Sequence, residues 1–263
     1  MPFANVLDGQ LHYVERGSGT PLVLVHGFPL DHSMWHEQLE GLSNRFQLVA
    51  PDLRGFGQSV VTPGLATMQL MADDIADLLE AANIREPVVF CGLSMGGYVA
   101  WQFAIRHRER LAKLILCDTK AVGDSPETAT NRIGLATRVQ KEGPGFIAET
   151  MIPKLFAPTT ITANAPCVEI TRQVILRSDP KGIAAASRGM AQRPDVTPQL
   201  SRFDVPALLI CGEHDAISPP AEMRGFAQAM PQAKFVEIAG AGHMAPLEKP
   251  AEVNSAIADF LSR

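Results

Sequence analysis

The segment VVFCGLSMGGYVA, residues 88–100, constrains this chain more than any other stretch. It opens as an unbroken apolar run, the pattern of a strand buried on both faces. It continues as a helix-like run, and at the join Gly92, Ser94 and Gly96 form the pattern Gly-x-Ser-x-Gly. A strand that turns sharply into a helix needs glycines where side chains would crowd the neighbouring backbone. Such a turn stores roughly 1–3 kcal/mol of strain and holds the serine hydroxyl clear of the sheet. Alone the pattern is moderately specific. A dinucleotide-binding turn is disfavoured, because no Gly-x-Gly-x-x-Gly run occurs there.

The rest of the chain supplies the context. Phe3–Leu7 and Leu11–Glu15 flank an Asp8-Gly9 turn signal and predict an antiparallel hairpin. Apolar runs follow at 22–25, 46–50, 88–90, 114–117, 207–211 and 235–238. They alternate with helical patterns at Thr67–Ala82, Met95–His107 and Ala251–Leu261. Alternation of this kind predicts an α/β fold with a mostly parallel, doubly wound sheet, eight-stranded once the hairpin is counted. The alternation lapses between residues 120 and 200, where helix-like pieces appear at Ile133–Val139, Phe146–Phe156, Val168–Leu176 and Ile183–Met190. We read 1–119 and 201–263 as one core and 120–200 as an inserted helical cap; extra helical packing around the sheet is the plainer alternative.

Composition limits the partners. With 263 residues, 46% hydrophobic and 19% charged, the chain can fill a sizeable core. A formal charge of −5 gives no electrostatic reason to bind nucleic acid. No stretch has the apolar length of a membrane span, and MPFANVLDGQ lacks the features of a signal peptide, so a cytoplasmic protein is expected. Cys91, Cys117 and Cys211 lie in or just after apolar runs and read as small buried hydrophobes, with no disulfides expected.

A serine hydroxyl needs a base before it can attack. His243, in the Gly-rich loop GAGHMAPLEKP after the last apolar run, is the candidate; a solvated or capping histidine is the ordinary alternative. The base needs an orienting carboxylate. Asp215 in CGEHDAISPP is preferred, and Asp118 in LILCDTKA is its rival. Ser, Asp, His is then the chain order. Developing negative charge on an acyl oxygen needs N–H donors, for which the backbone of Met95 and of Phe28, in VHGFPLDHSMW, are candidates. His26 in the same segment reads as a brace for that loop.

The segments VHGFPLDHSMW, APDLRGFGQS, CGLSMGGYVA, CGEHDAISP and GAGHMAPLEKP resemble those of small bacterial α/β-hydrolases. That group includes carboxylesterases, arylesterases, enol-lactonases, perhydrolases and carbon–carbon bond hydrolases. The resemblance covers roughly residues 1–119 and 201–263 and is weakest in the cap. It implies Ser94 as nucleophile, Asp215 as acid, His243 as base, and Phe28 and Met95 as oxyanion donors. The run Asp52–Arg54–Gly55–Gly57–Ser59 matches a loop that is structural in the family. Serine at position 94 speaks against dehalogenases and epoxide hydrolases, which usually carry Asp there, and against dienelactone hydrolases, which usually carry Cys.

The expected activity is cleavage of a small, largely apolar ester or lactone, with a small-molecule acyl substrate as the partner. No cofactor or metal is expected, since no ligand spacing such as H-E-x-x-H occurs. Perhydrolysis, C–C bond hydrolysis, lyase chemistry and slow-turnover ligand sensing stay open. Met151, Met190, Met244, Phe146, Phe156, Ile217 and Trp35 are candidate pocket residues, or ordinary packing. Oligomeric state is not legible.

Overall fold

The apolar runs become strands where both of their faces can be covered. The computed structural model describes residues 2–262 and contains an eight-stranded sheet in the order β1-β2-β4-β3-β5-β6-β7-β8. β1 (Phe3–Val6) and β2 (Gly9–Arg16) form the expected hairpin, with Asp8 in the turn at a φ of 63°. β2 runs antiparallel to β4 (Gln47–Pro51). From β4 onward every neighbouring pair is parallel: β3 (Pro21–Val25), β5 (Val88–Leu93), β6 (Leu111–Cys117), β7 (Ala207–Gly212) and β8 (Ala233–Ile238). Every residue of β3, β5 and β7 is buried, whereas edge strand β8 buries only Ile238 and carries Lys234 and Glu237 among its apolar residues. Each fully buried aliphatic side chain of the inner strands contributes about 1.5–3 kcal/mol.

Helices cover both faces. α1 (His36–Leu42) packs on the last helix, α11 (Pro250–Leu261), and α2 (Met68–Ala81) packs on α3 (Met95–Arg106). Thr67 caps α2 by accepting the Leu70 N–H at 3.1 Å, which fixes the helix start one residue after the sequence boundary. Of the 3.6-residue stripe that Leu70, Met71, Ile75, Leu78 and Leu79 predict for α2, all but the half-buried Leu70 are buried, and Met68 extends that face.

Between β6 and β7 the chain forms only helices and turns among the described residues: α4 (Pro126–Glu142), α5 (Gly145–Leu155), α6 (Pro158–Thr162), α7 (Pro166–Arg177) and α8 (Pro180–Ala191), then a 3₁₀ turn at Thr197–Arg202. α4 begins well before the expected Ile133. Ser125 caps it, Pro126 suits the first helical turn, and the polar run that follows hides the period. Four other helices escape the spacing analysis. α1, α6 and α10 (Ala245–Glu248) are too short to show a period, and α9 (Pro220–Ala229) is masked by the loop signal of Pro219-Pro220. Among the described residues no helix is long and apolar enough to cross a membrane. All four cysteines are free thiols; Cys91 and Cys117 lie on adjacent strands with sulfurs 4.0 Å apart.

One buried ion pair ties the loop after β4 to the helical layer. Arg54 donates through Nε and Nη2 to both oxygens of Asp74 on α2, each at 2.6 Å, and reaches Leu7 O at 3.0 Å in the hairpin. Both side chains are at most 2% exposed. Removing one partner strands the other's charge in a dry site. Arg54→Met is therefore expected to lower the free energy of urea unfolding by about 3–5 kcal/mol, and adding Asp74→Leu should recover much of the loss. A single variant as stable as the wild type would show that the pair is dispensable.

Candidate active site

Parallel strands deliver their carboxyl ends to one rim. The chain passes from β3 to β4 on one side and then crosses to β5 on the other, so a crevice opens outside the carboxyl ends of β3 and β5. The loop 26–32 leaves β3 there, and Ser94 leaves β5 there. Asp118, Asp215 and His243 follow β6, β7 and β8 at the same rim.

Ser94 sits at φ 54° and ψ −111°, between the last residue of β5 and the first of α3. That conformation is costly for a side-chain-bearing residue, and its surroundings hold it in place. The Ser94 N–H donates to Cys117 O at 3.0 Å, and Thr119 Oγ1 donates to Ser94 O at 2.7 Å. A Cβ on Gly92 would lie 2.2 Å from Gly96 O, and one on Gly96 would lie 2.2 Å from Val25 O. Both elbow glycines are therefore required by close approach. A Cβ on Gly27 would lie 3.4 Å from Ser94 Cβ, which places the loop after β3 directly beside the serine. Met95 opens α3, where first-turn N–H groups lack intrahelical partners and carry the positive end of the helix dipole.

His243 is 2% exposed, and its Nδ1 lies 2.8 Å from Asp215 Oδ2. Asp215 Oδ1 accepts the Ile217 and Ser218 N–H groups at 2.8 and 2.9 Å. Three N–H donors thus converge on this carboxyl group, the setting that solvates a carboxylate. With Nδ1–H committed to Asp215, His243 Nε2 is left as the basic nitrogen. No hydrogen bond joins Ser94 Oγ to His243 among the described residues; contacts of this kind commonly tighten only when substrate binds. Asp118 is also buried at this rim, but Gly212 N–H, not a histidine, is its partner, at 2.8 Å.

The loop carrying Phe28 is braced twice. His26 Nε2 accepts the Leu53 N–H at 2.9 Å while Nδ1–H meets Gly27 O at 2.9 Å; burial lowers the affinity of this ring for a second proton. Asp52 is the second brace. It takes His12 Nδ1 at 2.7 Å, Gln58 N–H at 3.0 Å, and both the backbone N–H and Nδ1 of His32, at 2.8 and 2.7 Å. Burial works against the charge on Asp52, but the hydrogen bonds from His32 and Gln58 hold its carboxyl well below the usual range. Burial likewise opposes His32, and the Asp52 bond and charge outweigh it, raising the imidazole. Sequence reasoning misses this pair of histidines. Each lies tens of residues from the other or from Asp52, and no local spacing marks them.

The helical insertion is bonded to the same loops. Arg177 Nη2 donates to Asp31 Oδ2 at 2.7 Å, and Ser178 Oγ to Pro29 O at 3.1 Å. Met244 N–H donates to Leu155 O at 3.0 Å. Glu248 accepts Gly242 N–H on one oxygen and Ala157 N–H and Thr160 Oγ1 on the other. Trp35, Phe156, Met190 and Met244 are core residues, while Phe146, Met151 and Ile217 are partly buried. A cavity of about 1160 Å³ lies elsewhere, between β2, α1 and α7, lined by residues such as Leu30, Met34, Cys167 and Ile170. Neither Ser94, Asp215 nor His243 lines it.

Two clusters have the donor types of a metal site: His12, His32 and Asp52, and Asp118, Cys211 and Asp215. In both, the central carboxylate is already occupied by N–H donors. The arrangement suits hydrogen bonding without a cation.

Comparison with known proteins agrees with this architecture. The profile of the alpha/beta hydrolase family matches residues 22–256, and the chain belongs to that family. A thermophilic esterase from Thermogutta terrifontis is 49% identical, with a TM-score of 0.96 over 98% of this chain and 96% of that one. An enol-lactonase from Burkholderia xenovorans LB400 is 31% identical, with a TM-score of 0.92 and both chains fully covered. The 3-oxoadipate enol-lactonase 2 of Acinetobacter baylyi is 26% identical over 259 residues, 97% of this chain and 94% of the relative.

The Asp52–His32 brace has a pH signature. Asp52, with its carboxyl depressed, contributes stability above the unfolded value of about 4, lost as pH falls. His32, with its imidazole raised, contributes stability fully present below about 6.5, lost as pH rises through its folded value. The stability of the wild type over His32→Gln is therefore expected to peak between about pH 4 and 6.5 in urea titrations. A difference that does not vary with pH would show that the two side chains are not coupled.

Proposed function

We propose that this alpha/beta hydrolase cleaves a small, largely apolar carboxylic ester or lactone through an acyl-enzyme on Ser94. The observation that carries the reading is the buried Asp215–His243 hydrogen bond at 2.8 Å, on the rim where the strained elbow presents Ser94. The names of the esterase and enol-lactonase relatives support the same substrate class.

In the proposed cycle, His243 Nε2 takes the hydroxyl proton as Ser94 Oγ bonds to the acyl carbon. The carbonyl π pair moves onto oxygen, to which the N–H groups of Phe28 and Met95 donate hydrogen bonds. Asp215 stabilises the imidazolium and keeps Nδ1 protonated. Collapse of the tetrahedral species breaks the bond to the leaving oxygen, which receives the proton from His243. Water then repeats the sequence: His243 takes its proton, hydroxide adds to the acyl carbon, and Ser94 leaves with the proton returned. A lactone gives a single hydroxy acid, an ester an acid and an alcohol. Every proton shuttle uses side chains of this chain.

Residues 120–200 act in this reading as a cap, joined to the His243 loop where Leu155 O at the end of α5 accepts the Met244 N–H. The hydrogen bonds of Glu248 and Met244 to the insertion support a cap held close to the base. The cavity lined by Leu30, Met34, Cys167 and Ile170 is outside this site and is not the proposed substrate pocket.

Steady-state assays on short p-nitrophenyl esters, a phenyl ester and a five-membered enol-lactone test the reading. Ser94→Ala is expected to lose on the order of 10⁴-fold or more in kcat. Asp215→Asn should lose about 10⁴-fold, since the wrong tautomer of His243 is then favoured. Full activity of Asp215→Asn together with loss in Asp118→Asn would transfer the orienting role to the other carboxyl group. Turnover of none of these esters or lactones would reject the substrate class.

A further inference from the structure

We propose that Asp118, buried behind the Asp215–His243 pair, is a positioning residue held as a neutral carboxylic acid, so that one negative charge and not two lies under the imidazole. The inference rests on the function proposed above and concerns a group that the reaction cycle leaves unused.

Donor count separates the two carboxyl groups. Asp215 is met by three N–H donors, from Ile217, Ser218 and His243. Asp118 is wholly buried and is met by one, the Gly212 N–H on Oδ1; its Oδ2 makes no hydrogen bond. A carboxyl oxygen of each, together with Cys211 Sγ, lies within 4.8 Å of the others. Two unit charges at that separation away from bulk water disfavour joint ionisation by roughly a hundredfold or more. The proton therefore falls to the group with less support.

The surroundings agree. Burial raises the Asp118 carboxyl well above the carboxylate range, and the Asp215 charge adds to the shift. The other titratable groups facing it are thiols: Cys117 of its own strand, pushed up by its contact with Cys91 and by burial, and Cys211 of β7, pushed up by burial and the nearby carboxyl groups. His243 reaches the cluster through Asp215. None of these groups offers Asp118 a positive charge. A proton on Oδ2 converts a buried acceptor without a partner into a donor towards the Asp215 carboxylate, which removes the cost of leaving it unsatisfied.

The consequence for chemistry is a moderated base. An ionised Asp118 would add a second negative charge behind the imidazolium and hold its proton more tightly, working against delivery to the leaving oxygen. A neutral Asp118 lets Asp215 orient His243 with the charge of one carboxylate. It also locks the end of β6 to the end of β7, through Gly212, at the depth of the pair.

The test uses the full chain as wild type, Asp118→Asn and Asp118→Leu, with two readouts. In urea unfolding between pH 5 and 8, the native wild type carries one proton that the unfolded chain has released above about pH 4. Its folding constant should then fall relative to Asp118→Asn by up to tenfold per pH unit. A gap that stays constant with pH, or that moves the other way, would overturn the proposal. In kcat/KM profiles, Asp118→Asn keeps a neutral donor and should leave the acid limb where the wild type has it, whereas Asp118→Leu should move it upward. A downward move of about one unit in Asp118→Asn would mean that the wild-type group is charged. If neither variant folds, the infrared carbonyl band of a protonated carboxyl group in the wild type at pH 7 decides, its absence overturning the proposal. The unfolding readout involves no turnover. Failure of the Ser94–His243–Asp215 reading would instead show as activity surviving Asp215→Asn.

Discussion

Contact between backbones at the carboxyl rim of the sheet is the constraint on which the rest of this structure depends. Gly96 meets the end of β3, Gly92 meets the first turn of α3, and a Cβ on Gly212 would lie 2.0 Å from Gly242 O. At each point a single methyl group would force strand-end loops apart. These contacts, more than any one hydrogen bond, bring the elbow, the loop after β7 and the loop after β8 to a common depth. The strain at Ser94 persists because Cys117 and Thr119 clamp both sides of its peptide.

At the same rim, two carboxylates act as junctions for segments distant in sequence. Asp52 gathers β2, the loop after β3 and the loop after β4 through His12, His32 and Gln58. Glu248 gathers the His243 loop and the helical insertion through Gly242, Ala157 and Thr160. Each junction satisfies buried or half-buried N–H groups that a strand-to-loop transition would otherwise leave without partners. The insertion is thus joined to the loops on both sides of the crevice.

The sheet was legible because burial on both faces imposes a readable pattern, as in LVLV at 22–25 and ALLIC at 207–211. The elbow was legible because Gly92, Ser94 and Gly96 must be what they are for steric reasons that act within five residues. Pairing of His243 with Asp215 could be proposed from their places after β8 and β7, since strand ends share a rim. Helix α4 was only half visible, its polar first turns being defined by Ser125 and Pro126 and not by any apolar stripe. The His12–His32–Asp52 junction and the environment of Asp118 were not legible at all. Both depend on contacts between residues far apart in the chain, and the burial that governs their protonation has no sequence signature.

The central claim is that Ser94 is activated by His243 within this rim. Its most direct measurement is labelling of the purified protein with a fluorophosphonate, followed by intact-mass and peptide analysis. The account predicts one phosphonyl group per chain, attached to Ser94, with labelling slowed by orders of magnitude in His243→Ala. An adduct on a different residue, or an unchanged labelling rate once His243 is replaced, would contradict it.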